Sequence, residues 1–129
     1  MPPLQDRPVS LICFSTLLVH EMDAVRELEW RILFPFNQIK NDEIAHAVFT
    51  GTHVPVIAAL LYALTRPSDT ADKLATALSL FSVGHAVVHF IFRWKGWGGF
   101  SSLFSKSLIY GTAVAGVVDL GILVHKRSW

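Results

Sequence analysis

The chain has 129 residues, of which 52% are apolar and 16% charged, and its net charge is +1. Soluble domains carry about 25% charged residues, so this composition argues against an ordinary soluble domain, a disordered chain or a disulfide scaffold. The near-neutral charge leaves no basic surface that would attract nucleic acid, and the single Cys13 cannot form an intrachain disulfide. The composition favours a small integral membrane protein, and the length favours one domain spanning residues 1–129.

Four apolar segments approach the roughly 20 residues that an α-helix needs to cross a bilayer. They cover about residues 8–34, 44–64, 74–92 and 103–125. Pro35 ends the first segment, because proline disfavours helix in the residue before it. Asn41 can cap the second, and a turn at 66–69 separates the second from the third. We therefore predict an all-α fold, an integral membrane four-helix bundle.

The first helix carries a stripe of ionisable side chains. His20, Asp23 and Glu27 are spaced i, i+3 and i+7, which places them on one helix face. Other charged residues of this segment fall on different faces, which predicts a solvated or interfacial surface formed by Glu21, Arg26, Glu29 and Arg31. Trp30 borders the stripe, and we expect it to be an interfacial anchor.

The second and third helices add histidines at helical spacing. His46 and His53 (i, i+7) share one face of the second helix, and His85 and His89 (i, i+4) are neighbours on the third. At about 1.5 Å of rise per residue, all these histidines fall in the same half of the membrane as the stripe of the first helix. Asp119, on the fourth helix, lies closer to the opposite side.

These groups predict a metal site in the bundle interior, with seven ligands: His20, Asp23, Glu27, His46, His53, His85 and His89. Imidazole and carboxylate suit zinc, iron and manganese, and four-helix bundles hold one or two such metals on inward-facing side chains. We favour iron over zinc because the ligand set is large enough for two ions. The predicted function is a metal-dependent membrane enzyme acting on a lipophilic substrate, with Glu27 and Asp23 as catalytic carboxylates.

Three other functions fit the same sequence. A haem-binding electron-transfer protein would use His53 with His85, or His46 with His89, as axial ligands. A metal-free isomerase would use His and Glu as acid and base. A non-catalytic subunit would use its Gly-rich fourth helix for packing. The expected partners are the lipid membrane, a lipophilic small molecule, and a homo-oligomer or larger membrane complex, without nucleic acid.

Part of the first helix resembles a group of uncharacterised small bacterial membrane proteins that carry an H-E-x-D-A…E-W signature. The resemblance is carried by His20-Glu21-Met22-Asp23-Ala24, Glu29-Trp30-Arg31 and Phe34-Pro35. The chain is also loosely similar to the HXXEE membrane family. The resemblance implies a multi-helix membrane fold and no particular activity. We expect a bacterial inner-membrane location, with the orientation undecided because Lys and Arg divide almost evenly between the two sides.

Overall fold

The computed structural model describes residues 8–65, 69–97 and 100–127, so residues 66–68 of the predicted turn lie outside its description. It contains four α-helices: α1 (Pro8–Arg26), α2 (Asp42–Leu64), α3 (Asp69–Trp94) and α4 (Leu103–Arg127). Two short 3₁₀ turns, Glu29–Arg31 and Phe36–Gln38, lie between α1 and α2. All four α-helices are long and apolar enough to span a membrane. The protein is thus an all-α, integral membrane four-helix bundle, as its composition predicts.

The first helix ends at Arg26 instead of continuing to about residue 34. Leu28 adopts a left-handed backbone conformation, with φ 61° and ψ 40°, and a right-handed helix cannot pass through such a residue. The 3₁₀ turn Glu29–Arg31 follows and packs against both α1 and α2. The expectation of one long first helix is therefore wrong, and the break changes the direction in which the following side chains point.

Helices α1, α3 and α4 form the packed centre of the bundle, with α4 contacting both of the others. Helices α3 and α4 approach closely at Gly116, where an added Cβ would lie 2.8 Å from the backbone oxygen of Ser79. Helix α2 lies at the edge, against α3 and the 3₁₀ turns. Only 11% of its candidate membrane span is buried within the chain, so most of its surface is available to lipid.

The start of α2 is tied to the Glu29–Arg31 turn through Asp42. The Trp30 indole N–H donates to Asp42 Oδ1 at 3.0 Å, and the Arg31 guanidinium donates to both carboxylate oxygens at 2.9 and 2.6 Å. Asn41 caps α2 by accepting the Ile44 N–H at 3.0 Å. Because Trp30 is only 4% exposed, it is a buried tie between two elements rather than the interfacial anchor that the sequence predicts.

Candidate metal centre

Four side chains converge between α1, α3 and the 3₁₀ turn Glu29–Arg31: His20, Glu29, His85 and His89. Each offers one ligand atom, and these four atoms all lie within 4.8 Å of one another. His85 is half-buried, and the other three are buried. Three imidazoles and a carboxylate are a donor set that suits zinc, iron or manganese. We refer to these four residues as the His₃Glu cluster.

The three imidazoles direct their Nε2 atoms towards one another. His85 Nε2 lies 2.8 Å from His20 Nε2 and 3.0 Å from His89 Nε2. A metal that binds imidazole at about 2.0–2.1 Å in tetrahedral geometry holds its ligand atoms about 3.3 Å apart. These two Nε2–Nε2 distances would widen by about 0.3–0.5 Å around such an ion, and the remaining ligand atoms, which lie within 4.8 Å of one another, would move closer together. The side-chain arrangement fits a metal ion.

Polar atoms of the cluster lack ordinary hydrogen-bond partners. His20 and Glu29 are each 1% exposed, yet His20 Nδ1 and both Glu29 oxygens have no hydrogen bond. His89 Nε2 lies 3.4 Å from Glu29 Oε1. Burial raises the pKa of the Glu29 carboxyl, but the neighbouring imidazoles outweigh that effect and hold this pKa below its ordinary value. Buried polar groups are nearly always satisfied, and a bound cation would satisfy this carboxylate.

Of the seven sequence-predicted ligands, His20, His85 and His89 lie in the cluster and the other four lie outside it. The Asp23 carboxylate is buried and lies 3.2 Å from Arg26 Nε. Glu27 accepts the Phe100 backbone N–H at 3.0 Å and an Arg26 N–H at 2.6 Å. These contacts engage the two carboxylates that we expected to be catalytic.

The two predicted ligands from α2 lie apart from the cluster because that helix stands at the edge of the bundle. His46 is exposed, with its ring 4.7 Å from the Trp30 ring. His53 Nε2 lies 2.9 Å from Glu21 Oε2, while His53 Nδ1 donates to the Phe49 carbonyl at 2.7 Å. Both imidazole nitrogens of His53 are therefore engaged away from the other histidines.

Glu29 is the ligand that periodicity missed. A continuous helix places it opposite His20, which led to the expectation of a solvated face shared with Glu21. That expectation is wrong, because the left-handed Leu28 turns Glu29 into the interior, and Glu21 is half-buried against His53. A signal was present, since Glu29 is one of the positions that carry the resemblance of the first helix to uncharacterised membrane proteins.

Phe100 covers one side of the cluster. Its ring centroid lies 5.5 Å from that of His20 and 4.6 Å from that of His89, and the residue is 5% exposed. Its backbone N–H is held by Glu27, and that N–H, together with the Arg26 guanidinium, lowers the pKa of the Glu27 carboxyl. In this structure Glu27 anchors the Phe100 segment over the cluster and contributes no ligand atom.

An apolar cavity of about 580 Å³ lies between α2 and the α1–α3 pair, a volume typical of small-molecule sites. Two residues of the cluster, His85 and Glu29, form part of its wall. Glu21, His53 and Thr52 are the other polar lining residues, and the remainder are Leu, Ile, Val and Phe side chains. The cavity can hold a lipophilic molecule in contact with the cluster.

Comparison with curated proteins and with solved structures gives no match. A family model covers residues 7–126, which include α1, α2, α3, the cluster and all of α4 except its last residue. This confirms the expected membership of an uncharacterised family. The family has no assigned activity, so functional inference depends on the site itself. The chain belongs to DUF6713, a family of unknown function.

Proposed function

We propose that this protein is a metal-dependent integral membrane enzyme that acts on a lipophilic substrate, and we place it in a bacterial inner membrane. The observation that carries the proposal is the contact between the His₃Glu cluster and the apolar cavity. His85 and Glu29 belong to both. A reacting carbon held in the cavity would therefore lie beside an ion bound to the cluster.

The number of ligands supports iron over zinc. Four protein ligands complete a tetrahedral zinc site, and zinc sites closed in this way are structural, whereas catalytic ones keep an open position. Non-haem iron centres with His and carboxylate ligands keep open positions and support oxygen-dependent chemistry. The four ligand atoms lie within 4.8 Å of one another, a spacing that supports one ion rather than two. We therefore propose a single iron, which would supply oxidation of the substrate with dioxygen as the oxidant.

The chain's own residues would keep water away from this chemistry. Phe100 covers His20 and His89 on one side, and apolar side chains form most of the cavity on the other. Excluding water strengthens electrostatic interactions at the reacting atoms and suppresses side reactions. The cavity walls would orient the substrate so that its reacting carbon faces His85 and Glu29.

Haem is the second candidate, because His53 and His85 line the same cavity. The contact of His53 argues against haem, because its Nε2 atom lies 2.9 Å from Glu21 Oε2. Haem binding would require this contact to break, whereas a metal in the His₃Glu cluster would leave it intact. A Soret band in the visible spectrum of the purified protein would identify haem and overturn the non-haem proposal.

The first test compares two glutamates that stand two positions apart. Glu29→Gln removes a proposed ligand, whereas Glu27→Gln changes a carboxylate that lies outside the cluster. In elemental analysis of detergent-purified protein we expect about one iron per chain in the wild type and in Glu27→Gln. We expect at least about tenfold weaker iron binding in Glu29→Gln and His85→Ala.

The His46→Ala variant is a second control, because this exposed histidine lies outside the cluster. Circular dichroism and a single elution peak would establish that each variant folds. Wild-type protein without metal, or equal metal content in Glu29→Gln and Glu27→Gln, would contradict the proposed site. Turnover that survives exhaustive chelation would favour a metal-free isomerase instead.

A further inference from the structure

A pair of polar side chains outside the His₃Glu cluster lines the apolar cavity: Glu21 of α1 and His53 of α2. His53 Nε2 lies 2.9 Å from Glu21 Oε2, and His53 Nδ1 donates its proton to the Phe49 carbonyl. Because Nδ1 carries a proton, the contact between Nε2 and Oε2 needs exactly one more proton, held either by the imidazole or by the carboxyl group. In both cases the second carboxyl oxygen, Glu21 Oε1, can only accept a hydrogen bond.

This acceptor is available to a molecule in the cavity. In the part of the chain that the structure describes, Glu21 Oε1 has no hydrogen bond, and the Glu21 side chain is 20% exposed. Thr52, the other polar lining residue outside the cluster, donates its hydroxyl proton to the Val48 carbonyl and keeps lone pairs as acceptors. These groups therefore offer acceptors without a free donor, and a ligand that satisfies them must donate.

Charge further restricts the polar group of that ligand. A carboxylate or a phosphate diester has no hydrogen to donate, and no Lys or Arg is among the described residues that line the cavity. An ammonium group can donate, but it would lie beside the proposed metal ion, and like charges repel strongly where water is excluded. A hydroxyl group is a donor without charge, so it fits this end of the cavity.

The rest of the cavity is elongated and apolar. Along α2 its lining extends from Phe49 to Leu60, roughly 16 Å at about 1.5 Å of rise per residue. From Glu21 and His53 towards Phe14 and Leu60, the lining consists only of Leu, Ile, Val and Phe side chains. Phe14 and Leu60 belong to one hydrophobic cluster, which closes this end of the cavity. The shape suits a linear hydrocarbon chain with its polar group at Glu21.

We propose that the cavity binds a long-chain alcohol, whose hydroxyl group donates to Glu21 Oε1 and whose chain extends towards Phe14 and Leu60. The inference rests on the proposed function, because it names the class of lipophilic substrate at that site. Glu21 directly follows the cluster residue His20, and the cavity wall includes His85 and Glu29. The carbon that bears the hydroxyl group would therefore lie beside the candidate metal centre.

The test measures binding of 1-dodecanol and of its methyl ether to metal-free protein in phosphatidylcholine nanodiscs. The two probes share the chain and the oxygen atom, and only the alcohol has a hydrogen to donate. Native mass spectrometry measures the bound probe, and empty nanodiscs correct for partition into lipid. We expect the wild-type protein to bind the alcohol at least about fivefold more tightly than the ether, the ratio that one net hydrogen bond provides.

Three variants locate the binding site. In Glu21→Gln the amide N–H can donate to His53 Nε2 while the amide oxygen stays an acceptor, so this matched control should keep the preference for the alcohol. Glu21→Leu removes the acceptor and should bind alcohol and ether equally. Leu60→Trp fills the apolar end and should weaken binding of 1-dodecanol more than that of 1-hexanol.

Equal binding of alcohol and ether by the wild-type protein would overturn the proposal, as would a preference that persists in Glu21→Leu. Equal weakening of both alcohols in Leu60→Trp would overturn the position of the chain. If Glu21→Leu does not fold, the wild-type ratio and Leu60→Trp decide the question. Since the binding assay uses metal-free protein, a lack of iron in the purified protein would overturn the proposed function without changing the alcohol preference.

Discussion

The Glu29 carboxylate reaches the three histidines because its backbone is held from both sides. Before it, the left-handed Leu28 turns the chain out of α1. After it, Trp30 and Arg31 bind Asp42 at the start of α2. Trp30 and Asp42 are not members of the cluster. Their contacts hold the turn that carries its ligand Glu29. They are therefore positioning residues for the candidate metal centre.

Glu27 offers a prediction at the scale of one residue. Replacing it with Ala removes the acceptor for the Phe100 N–H and leaves that buried donor unpaired. We expect Glu27→Ala to lower the free energy of unfolding by about 1–2 kcal/mol. Iron content should fall little, because Glu27 supplies no ligand atom. Equilibrium unfolding in detergent and elemental analysis measure the two quantities.

Glu27→Gln is the conservative comparison, because its amide oxygen can still accept the Phe100 N–H. It should lose less stability than Glu27→Ala. Equal losses in both variants would show that the charge of the Glu27 carboxylate, beside Arg26 at 2.6 Å, matters more than the hydrogen bond to Phe100.

Residue spacing was sufficient to place three of the four cluster residues on interior faces at a common depth. His85 and His89 are one helical turn apart, and His20 lies on the polar stripe of α1. Glu29 could not be placed in this way, because helical periodicity assumes a continuous right-handed helix, and the left-handed backbone of Leu28 interrupts that helix before Glu29. The role of Glu27 depends on a contact with Phe100, 73 positions away in sequence, and local pattern does not encode such contacts.

Among whole helices, too, the sequence pattern places some boundaries well and misses others. Helices α2 and α4 begin within two residues of the positions that hydropathy indicates, at Asp42 and Leu103. Helix α3 begins earlier, at Asp69, because its first turn contains Asp69 and Asp72, which an apolar criterion leaves out. Acidic residues in the first turn are favourable because they interact with the positive end of the helix dipole. Hydropathy thus locates a span but underestimates its polar first turn.

The contact between α3 and α4 gives a prediction at this scale. A methyl group at Gly116 would lie 2.8 Å from the Ser79 backbone oxygen, so Gly116→Ala must push the two helices apart. Gly121→Ala is the matched control on the same helix, since an added Cβ there has no neighbour within 4 Å. We expect Gly116→Ala to lose about 1–3 kcal/mol of stability and Gly121→Ala to gain up to about 1 kcal/mol.

Unfolding curves of the two glycine variants, measured side by side in the same detergent, test this contact. The sign of the difference is the informative result, because both substitutions add the same methyl group to the same helix. A Gly116→Ala variant as stable as Gly121→Ala would mean that α3 and α4 do not approach as closely as the Ser79–Gly116 contact indicates.

For the whole molecule, the position of α2 is the feature that links fold to proposed function. Three helices pack closely, while α2 lies at the edge and leaves the cavity of about 580 Å³ between itself and the α1–α3 pair. The cavity is bordered by His85 and Glu29 on the cluster side and by His53 on α2. If α2 packed as closely as the other three helices, side chains would fill this space. The loose packing of α2 therefore provides the room that a lipophilic substrate needs.

Filling that space should separate substrate binding from metal binding. Ile57 of α2 is half-buried and lines the cavity, whereas Ile122 of α4 is 37% exposed and does not line it. We expect Ile57→Trp to reduce retained lipid at least about fivefold, since a larger side chain excludes ligand from a defined pocket. Ile122→Trp should retain the wild-type amount of lipid, and both variants should keep the wild-type iron content.

Native mass spectrometry after detergent delipidation measures the lipid, and elemental analysis of the same sample measures the iron. Undiminished lipid in Ile57→Trp would show that the cavity is not the binding site, and a parallel loss of iron would show that the cavity and the His₃Glu cluster cannot be varied independently.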